Sequence, residues 1–259
     1  MTRAGHHTMM GGGAAAMRCA VFDGTIASRM ATESVGINPS QQPQISVAAW
    51  ILCSDYGSSN IRCVSLFDNA SDKKTGPQFN VTNGSTGGFG LIFQWVADFG
   101  FYEVGNVEGT WHHYAFSFAP GATKRYFDGS LVKTDTNAST WLRGNASANL
   151  VLSLGSGISS TTGGLVGKIA NVNLFDYEIS AQEAIFLASK PDAVPTTAYH
   201  QYLFTADDGT DTGTSTSKWN LAVGSTTVFE KLSTGGGGRI WLLLCRSLRA
   251  RRSLERRAA

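Results

Sequence analysis

The chain has 259 residues, enough for one large β domain or two small ones, and enough to bury a core without metal or disulfide staples. Charged residues are 15% of the chain against a usual level of about 25%, while 42% hydrophobic residues and 30 glycines describe a Gly-rich globular chain and exclude collagen, coiled coil and wholesale disorder. The net charge of +2 conceals an asymmetry: residues 239–259 hold seven Arg and one Glu, a local +6, on a body of −4.

Residues 1–16 read as a flexible leader of Met, Gly and Ala without periodicity, and no apolar run there precedes a cleavage site, so no classical secretory signal is expected. From residue 17 the pattern changes to short β-type runs separated by turn residues, which argues for an antiparallel all-β domain. The predicted strands are 18–22, 45–53, 61–67, 79–82, 90–95, 101–104, 111–118, 124–127, 130–134, 149–154 and 167–175. That number of short strands suits a two-sheet jelly-roll sandwich. Within 111–118, alternation puts Tyr114, Phe116 and Phe118 on the core face and Trp111, His113, Ala115 and Ser117 on the other. Asp128-Gly129 predicts a two-residue hairpin turn, because both residues tolerate positive φ.

Ser180-Ala181-Gln182-Glu183 has capping-box spacing, Ala184 to Ser189 continue the helix, and Pro191 marks its end. This is one short helix after a run of strands. Residues 191–197 read as a linker, and 199–204 and 219–223 as further β material, so 191–234 is expected to pack on the sandwich or on a partner. Residues 235–259 are a Gly hinge followed by an Arg-rich tail. Four cysteines (Cys19, Cys53, Cys63, Cys245) make no disulfide framework; Cys53 and Cys63 could meet across a hairpin, with isolated reduced thiols the favoured alternative.

Several motifs come in a telling order: Val21-Phe22-Asp23-Gly24-Thr25, then Ile45-Ser46-Val47-Ala48-Ala49-Trp50-Ile51, then Gly109-Thr110-Trp111-His112-His113-Tyr114-Ala115. Lys124-Arg125-Tyr126-Phe127-Asp128-Gly129-Ser130-Leu131-Val132 and Gly167-Lys168-Ile169-Ala170-Asn171-Val172-Asn173-Leu174-Phe175 follow, with Ile179 to Glu183 after them. On these motifs residues 17–190 resemble the laminin-G-like, concanavalin A-like lectin/glucanase jelly-roll family. The resemblance implies a non-catalytic module that recognises a glycan or a protein surface. It extends to structural proteins of tailed bacteriophages, which implies a place in a larger assembly, a virion or a cell surface. Two departures matter. Relatives often carry acidic residues where this chain has Ala170-Asn171, which weakens the case for calcium there. Glycosidase relatives carry two Glu and an Asp at alternating strand positions, whereas Glu103 and Glu108 fall on opposite faces of a regular strand with no acid between them. The chain is therefore expected not to be an enzyme, with a polysaccharide-cleaving enzyme on the same fold, or a pure assembly protein acting through its C-terminal tail, as the alternatives.

Trp95, Phe99, Tyr102 and Trp141 are the aromatic candidates for stacking on sugar rings. Calcium, if bound, would take hard oxygen ligands from Asp68, Asn69 and Asp72, or from Asp207, Asp208 and Asp211, all equally ordinary turn residues. His112 and His113 point to opposite faces of one strand and cannot share an ion. In the tail, Trp241, Leu243, Leu244, Arg246 and Arg249 form an apolar-plus-Arg segment suited to anchoring on another protein; its apolar run 240–245 is far short of the ~18 residues of a membrane span. Nucleic acid is the less favoured partner.

Overall fold

The computed structural model describes residues 18–37, 42–55, 61–68, 75–81, 89–91, 107–136, 150–156, 164–204, 208–218, 220–224 and 226–231. Along the chain these form β1 (Arg18–Asp23), a 3-10 turn (Ile26–Ser28), β2 (Met30–Ala31), β3 (Ile45–Asp55), β4 (Ile61–Asp68), β5 (Thr75–Val81) and β6 (Phe89–Leu91). They continue as β7 (Trp111–Ala119), β8 (Ala122–Phe127), β9 (Ser130–Thr136), β10 (Leu150–Leu154), β11 (Val166–Phe175), α1 (Ala181–Leu187), β12 (His200–Tyr202) and β13 (Val228–Lys231).

Two antiparallel sheets face each other. One is eight-stranded, in the order β13-β1-β11-β3-β7-β8-β9 with β12 also on β11; the other is five-stranded, in the order β2-β10-β4-β5-β6. The large sheet accommodates β12 because β1 pairs only the first part of β11, Val166 to Ile169, and leaves Val172 to Leu174 free to pair with β12. Between the sheets lies the main core, in which Phe22, Met30, Ile51, Leu66, Phe79, Phe116, Phe118, Leu152 and Ile169 are all buried. The side-chain period of two explains why Tyr114, Phe116 and Phe118 point into it together.

The opposite face of β7 is not a solvent face. His113, Ala115 and Ser117 are buried as well, because α1 and the segments flanking it lie across the large sheet. A second core of Ala48, Ala115, Tyr126, Phe175, Ile179, Ala184, Leu187 and Ala198 forms beneath the helix. Small residues at Ala48 and Ala115 let the helix approach, and the Trp50 indole donates to the Leu187 carbonyl at 3.1 Å. The capping box is present: the Glu183 N–H donates to Ser180 Oγ at 3.2 Å, and the Ser180 N–H donates to Glu183 Oε2 at 2.7 Å.

The β8–β9 turn has Asp128 at φ 47° and Gly129 at φ 78°, as a primed two-residue hairpin requires. Gly129 is constrained twice, since a Cβ there would sit 3.1 Å from both Ile185 Cα and Ala188 Cβ of the helix region.

Cys53 and Cys63 lie in different sheets rather than on one hairpin, and Cys19, Cys53 and Cys63 are all free and buried. Burial pushes the Cys53 thiol up to about 12 and raises that of Cys19. Since the thiolate is the reactive form, a thiol reagent added to the native chain is expected to leave these three cysteines unmodified and to label them in denaturant. Peptide mass spectrometry checks this, and native labelling of Cys53 would show that the sandwich opens there.

Candidate functional site

Trp95, Phe99, Tyr102 and Trp141, the Asn69 and Asp72 candidates, and the tail anchors Trp241, Leu243, Leu244, Arg246 and Arg249 all lie outside the described residues. Asp68 closes β4, where its backbone pairs with Leu150. The described residues contain no group of three or more His, Cys, Asp or Glu side chains able to hold a metal ion. No helix among them is long and apolar enough to cross a membrane.

Two polar clusters and one apolar cleft stand out among the described residues. The first joins the start of β7 to the β8–β9 turn. Asp128 Oδ1 accepts the His113 N–H at 2.8 Å, and its Oδ2 lies 2.8 Å from His112 Nδ1. His112 Nε2 is 2.8 Å from Thr110 Oγ1, and the imidazole stacks on Phe127 at 4.9 Å. An acid–imidazole–hydroxyl series is the contact order of a hydrolytic trio. Here the Thr110 hydroxyl is also 3.1 Å from the Val107 carbonyl, in donor geometry, and the series ties the hairpin to the sheet. His113, one residue on, points the other way as strand alternation demands. It packs edge-on against Trp50 at 5.5 Å, and burial drives its imidazole down to about 3, so it is neutral at physiological pH.

The second constellation sits on the outer face of β11. Asn171, at φ 46°, donates from Nδ2 to the carbonyls of Pro191 (3.0 Å) and Ala193 (2.8 Å). Asn173 Nδ2 donates to Asn171 Oδ1 at 2.9 Å, and Gln201 Nε2 donates to Asn173 Oδ1 at 2.9 Å. This ladder of carboxamides straps the connection after α1 onto the sheet. It occupies the position at which the sequence departs from an acidic pattern, so Asn171 serves here as a hydrogen-bond donor.

The third is a cleft of about 230 Å³ between α1 and residues 194–197, walled by Phe175, Phe186, Leu187, Val194 and Pro195. Glu183 borders it, but its oxygens accept from Tyr177 Oη and from Ser180. The cleft is therefore apolar in character, and Ile185 and Phe186 on the same helix are 52% and 46% exposed.

Residues 23–185 match the laminin G-type model of the concanavalin A-like lectin/glucanases superfamily. The chain belongs to this superfamily. No curated protein matches this lectin/glucanase-type chain in sequence. Among solved structures it is similar to the native heptameric SAP-like pentraxin from Limulus polyphemus, with a TM-score of 0.56, 12% identity and coverage of 85% of this chain and 97% of that one. It is also similar to a candidate carbohydrate binding protein from Bacteroides ovatus, with a TM-score of 0.60, 12% identity and coverage of 85% of this chain and 61% of the other. At these identities the likeness is one of fold. In this superfamily member the sandwich continues past the matched residues: β12 and β13 lie beyond residue 185, yet complete the large sheet on β11 and β1.

A charged cluster belongs to the same sheet. Arg125 on β8, fully buried, lies level with Phe116 on the inner face. Its Nη2 meets Asp135 Oδ2 of β9 at 2.6 Å, and Lys133 Nζ reaches Asp135 Oδ1 at 3.1 Å. Arg125 stood in the hairpin motif, whereas Lys133 and Asp135 carried none. Register places Arg125 opposite Lys133 and Asp135 opposite Thr123, so the ion pair is a diagonal one that no local pattern shows.

Proposed function

We propose that the chain is a non-catalytic recognition module that binds a glycan. Membership of the lectin/glucanase superfamily over residues 23–185 carries this reading, and the likeness to the candidate carbohydrate binding protein of Bacteroides ovatus supports it. Glycoside hydrolysis on such a sandwich requires two carboxyl groups about 5–9.5 Å apart across a cleft. Each described strand carries at most one acidic residue, and no acidic trio at alternating positions stands in the sequence. On the same reading the basic segment of Trp241, Leu243, Leu244, Arg246 and Arg249 attaches the module to other proteins of a larger assembly, such as a virion or cell-surface structure.

A glycan array probed with the purified full chain, run beside a reducing-sugar assay on the glycans it retains, tests the proposal. Retention without sugar release is the expected outcome. Release that disappears in Glu103→Gln would overturn the non-catalytic reading. A blank array, with partner association lost on deleting residues 239–259, would shift the function from the sandwich to the tail.

A further inference from the structure

The large sheet carries one more ionisable group that the recognition reading does not use. His200 of β12 is fully buried, and both of its ring nitrogens face oxygen acceptors. Nδ1 lies 2.6 Å from Asp211 Oδ2, and Nε2 lies 2.7 Å from the Val35 carbonyl. A neutral imidazole has one N–H and one lone pair. Placed here it would satisfy one acceptor and aim its lone pair at the other, a repulsive contact at a fully buried ring.

We propose that His200 is an imidazolium in the folded chain at neutral pH, and that its buried ion pair with Asp211 is a proton-dependent clip fastening β12 and residues 208–213 to the segment 32–37. The clip joins stretches of chain distant in sequence. Val35 belongs to the loop after β2, whose N–H also donates to the Leu150 carbonyl of β10. Asp211 Oδ1 accepts the N–H groups of Gln201 (3.1 Å) and Gly213 (2.9 Å), so the same carboxylate that balances the charge also ties β12 to Gly213. The Asp211 N–H in turn donates to Asn220 Oδ1 at 3.0 Å.

Other titratable and polar groups surround the pair. From β12 itself come Gln201 and the Tyr202 phenol, which burial first and the Asp211 charge second hold in its protonated form. Tyr199 meets the His200 ring edge-on at 4.6 Å. β11 contributes Leu174 opposite His200 and the neutral Asn173 beside it. On the 208–218 segment, Asp208 is turned to the Thr210 N–H and Lys218 to the Gly213 carbonyl; on 32–37, Glu33 is exposed. Burial pushes the Asp211 carboxyl up, but the His200 ring and the Gly213 and Gln201 amides outweigh it and hold the carboxyl below its ordinary value.

The signs follow. Asp211 contributes stability above the ordinary carboxylate range, and that contribution is lost as pH falls through its lowered value. On the alkaline side, loss of the second ring proton turns a lone pair toward the Val35 carbonyl, so the clip releases as pH rises.

Histidine-selective nitrogen NMR on the ¹⁵N-labelled full chain reads the assignment directly. The expected spectrum at neutral pH shows His200 with two N–H protons and no pyridine-type nitrogen; one pyridine-type nitrogen overturns the proposal. Signals are assigned by their loss in His200→Gln, or by through-bond correlation if that variant does not fold. Amide exchange on the unmodified chain gives a second reading. As pH rises, the Gln201 and Gly213 amides should lose protection, after correction for intrinsic base catalysis, while the Ala49 and Ala115 amides of β3 and β7 keep theirs. Equal behaviour of the two sets overturns the clip.

Discussion

A chain cut after residue 190 is expected to lose its cooperative fold, although the superfamily match ends at 185. Tyr202, Phe204 and Leu221 stand beyond the cut and are buried in the main core between the sheets. Full burial of a large apolar side chain contributes about 1.5–3 kcal/mol, so removing three costs roughly 5–9 kcal/mol against a whole-domain stability of about 5–15 kcal/mol. The same cut strips β13 from β1 and β12 from β11. It leaves the edge of β11 at Val172 and Leu174, both buried in the full chain, with unpaired backbone groups open to edge-to-edge association. Circular dichroism melting and size exclusion check this, with a chain ending at Lys231 as the control that keeps every described strand. A sharp transition in the shorter chain, within a few degrees of the control, would show that residues 191–231 are an accessory layer.

The reason this dependence is hard to see in the sequence is physical. β13 is four residues, Val228 to Lys231, and its strand state comes from pairing with Val21 to Arg18, two hundred positions earlier. No local pattern encodes such a pairing, and a short edge strand has little propensity of its own. Features with local causes were legible: the Asp128-Gly129 turn, the Ser180 capping box, and the alternation of Tyr114, Phe116 and Phe118.

That same alternation does not say what covers the other face of β7. Polar-out is the ordinary reading of His113, Ala115 and Ser117, and they are buried because a helix encoded 65 residues later lies over them. The hint lay in residue size, since Ala48, Ala115, Ala184 and Ala198 meet under that helix. For the polar ladder the hint was weaker still. Asn171 and Asn173 alternate as surface residues would, and only the return of residues 191–201 across the sheet turns them inward. Of the ligand-binding candidates, Asp68, Asp208 and Asp211 are within the described residues, while Trp95, Phe99, Tyr102, Trp141, Asn69, Asp72 and Asp207 lie outside them.

Asn171→Asp is the smallest change expected to break that return. The replacement is isosteric and Asp tolerates positive φ about as well as Asn, so the backbone at φ 46° is undisturbed. The carboxylate keeps the oxygen that accepts from Asn173 and loses the amide that donates to Pro191 and Ala193. In place of two attractive contacts, a buried charge then faces two carbonyl oxygens. Loss of the donors and the uncompensated charge together are expected to cost about 3 kcal/mol at neutral pH, which lowers the melting temperature by roughly 6–12 °C for a domain of this size. Burial and the facing carbonyls favour the protonated acid, so the introduced carboxyl titrates higher in the folded chain than in the unfolded one. Its penalty is therefore present above the ordinary carboxylate value of about 3.9 and shrinks as pH falls toward it, where the O–H can again donate to one carbonyl. Thermal melts of both chains at neutral and acidic pH measure the difference. A penalty that shrinks on acidification marks the charge as its cause, one that stays constant assigns it to the lost donors alone, and equal melting at neutral pH would mean that the connection leaves the sheet at no cost.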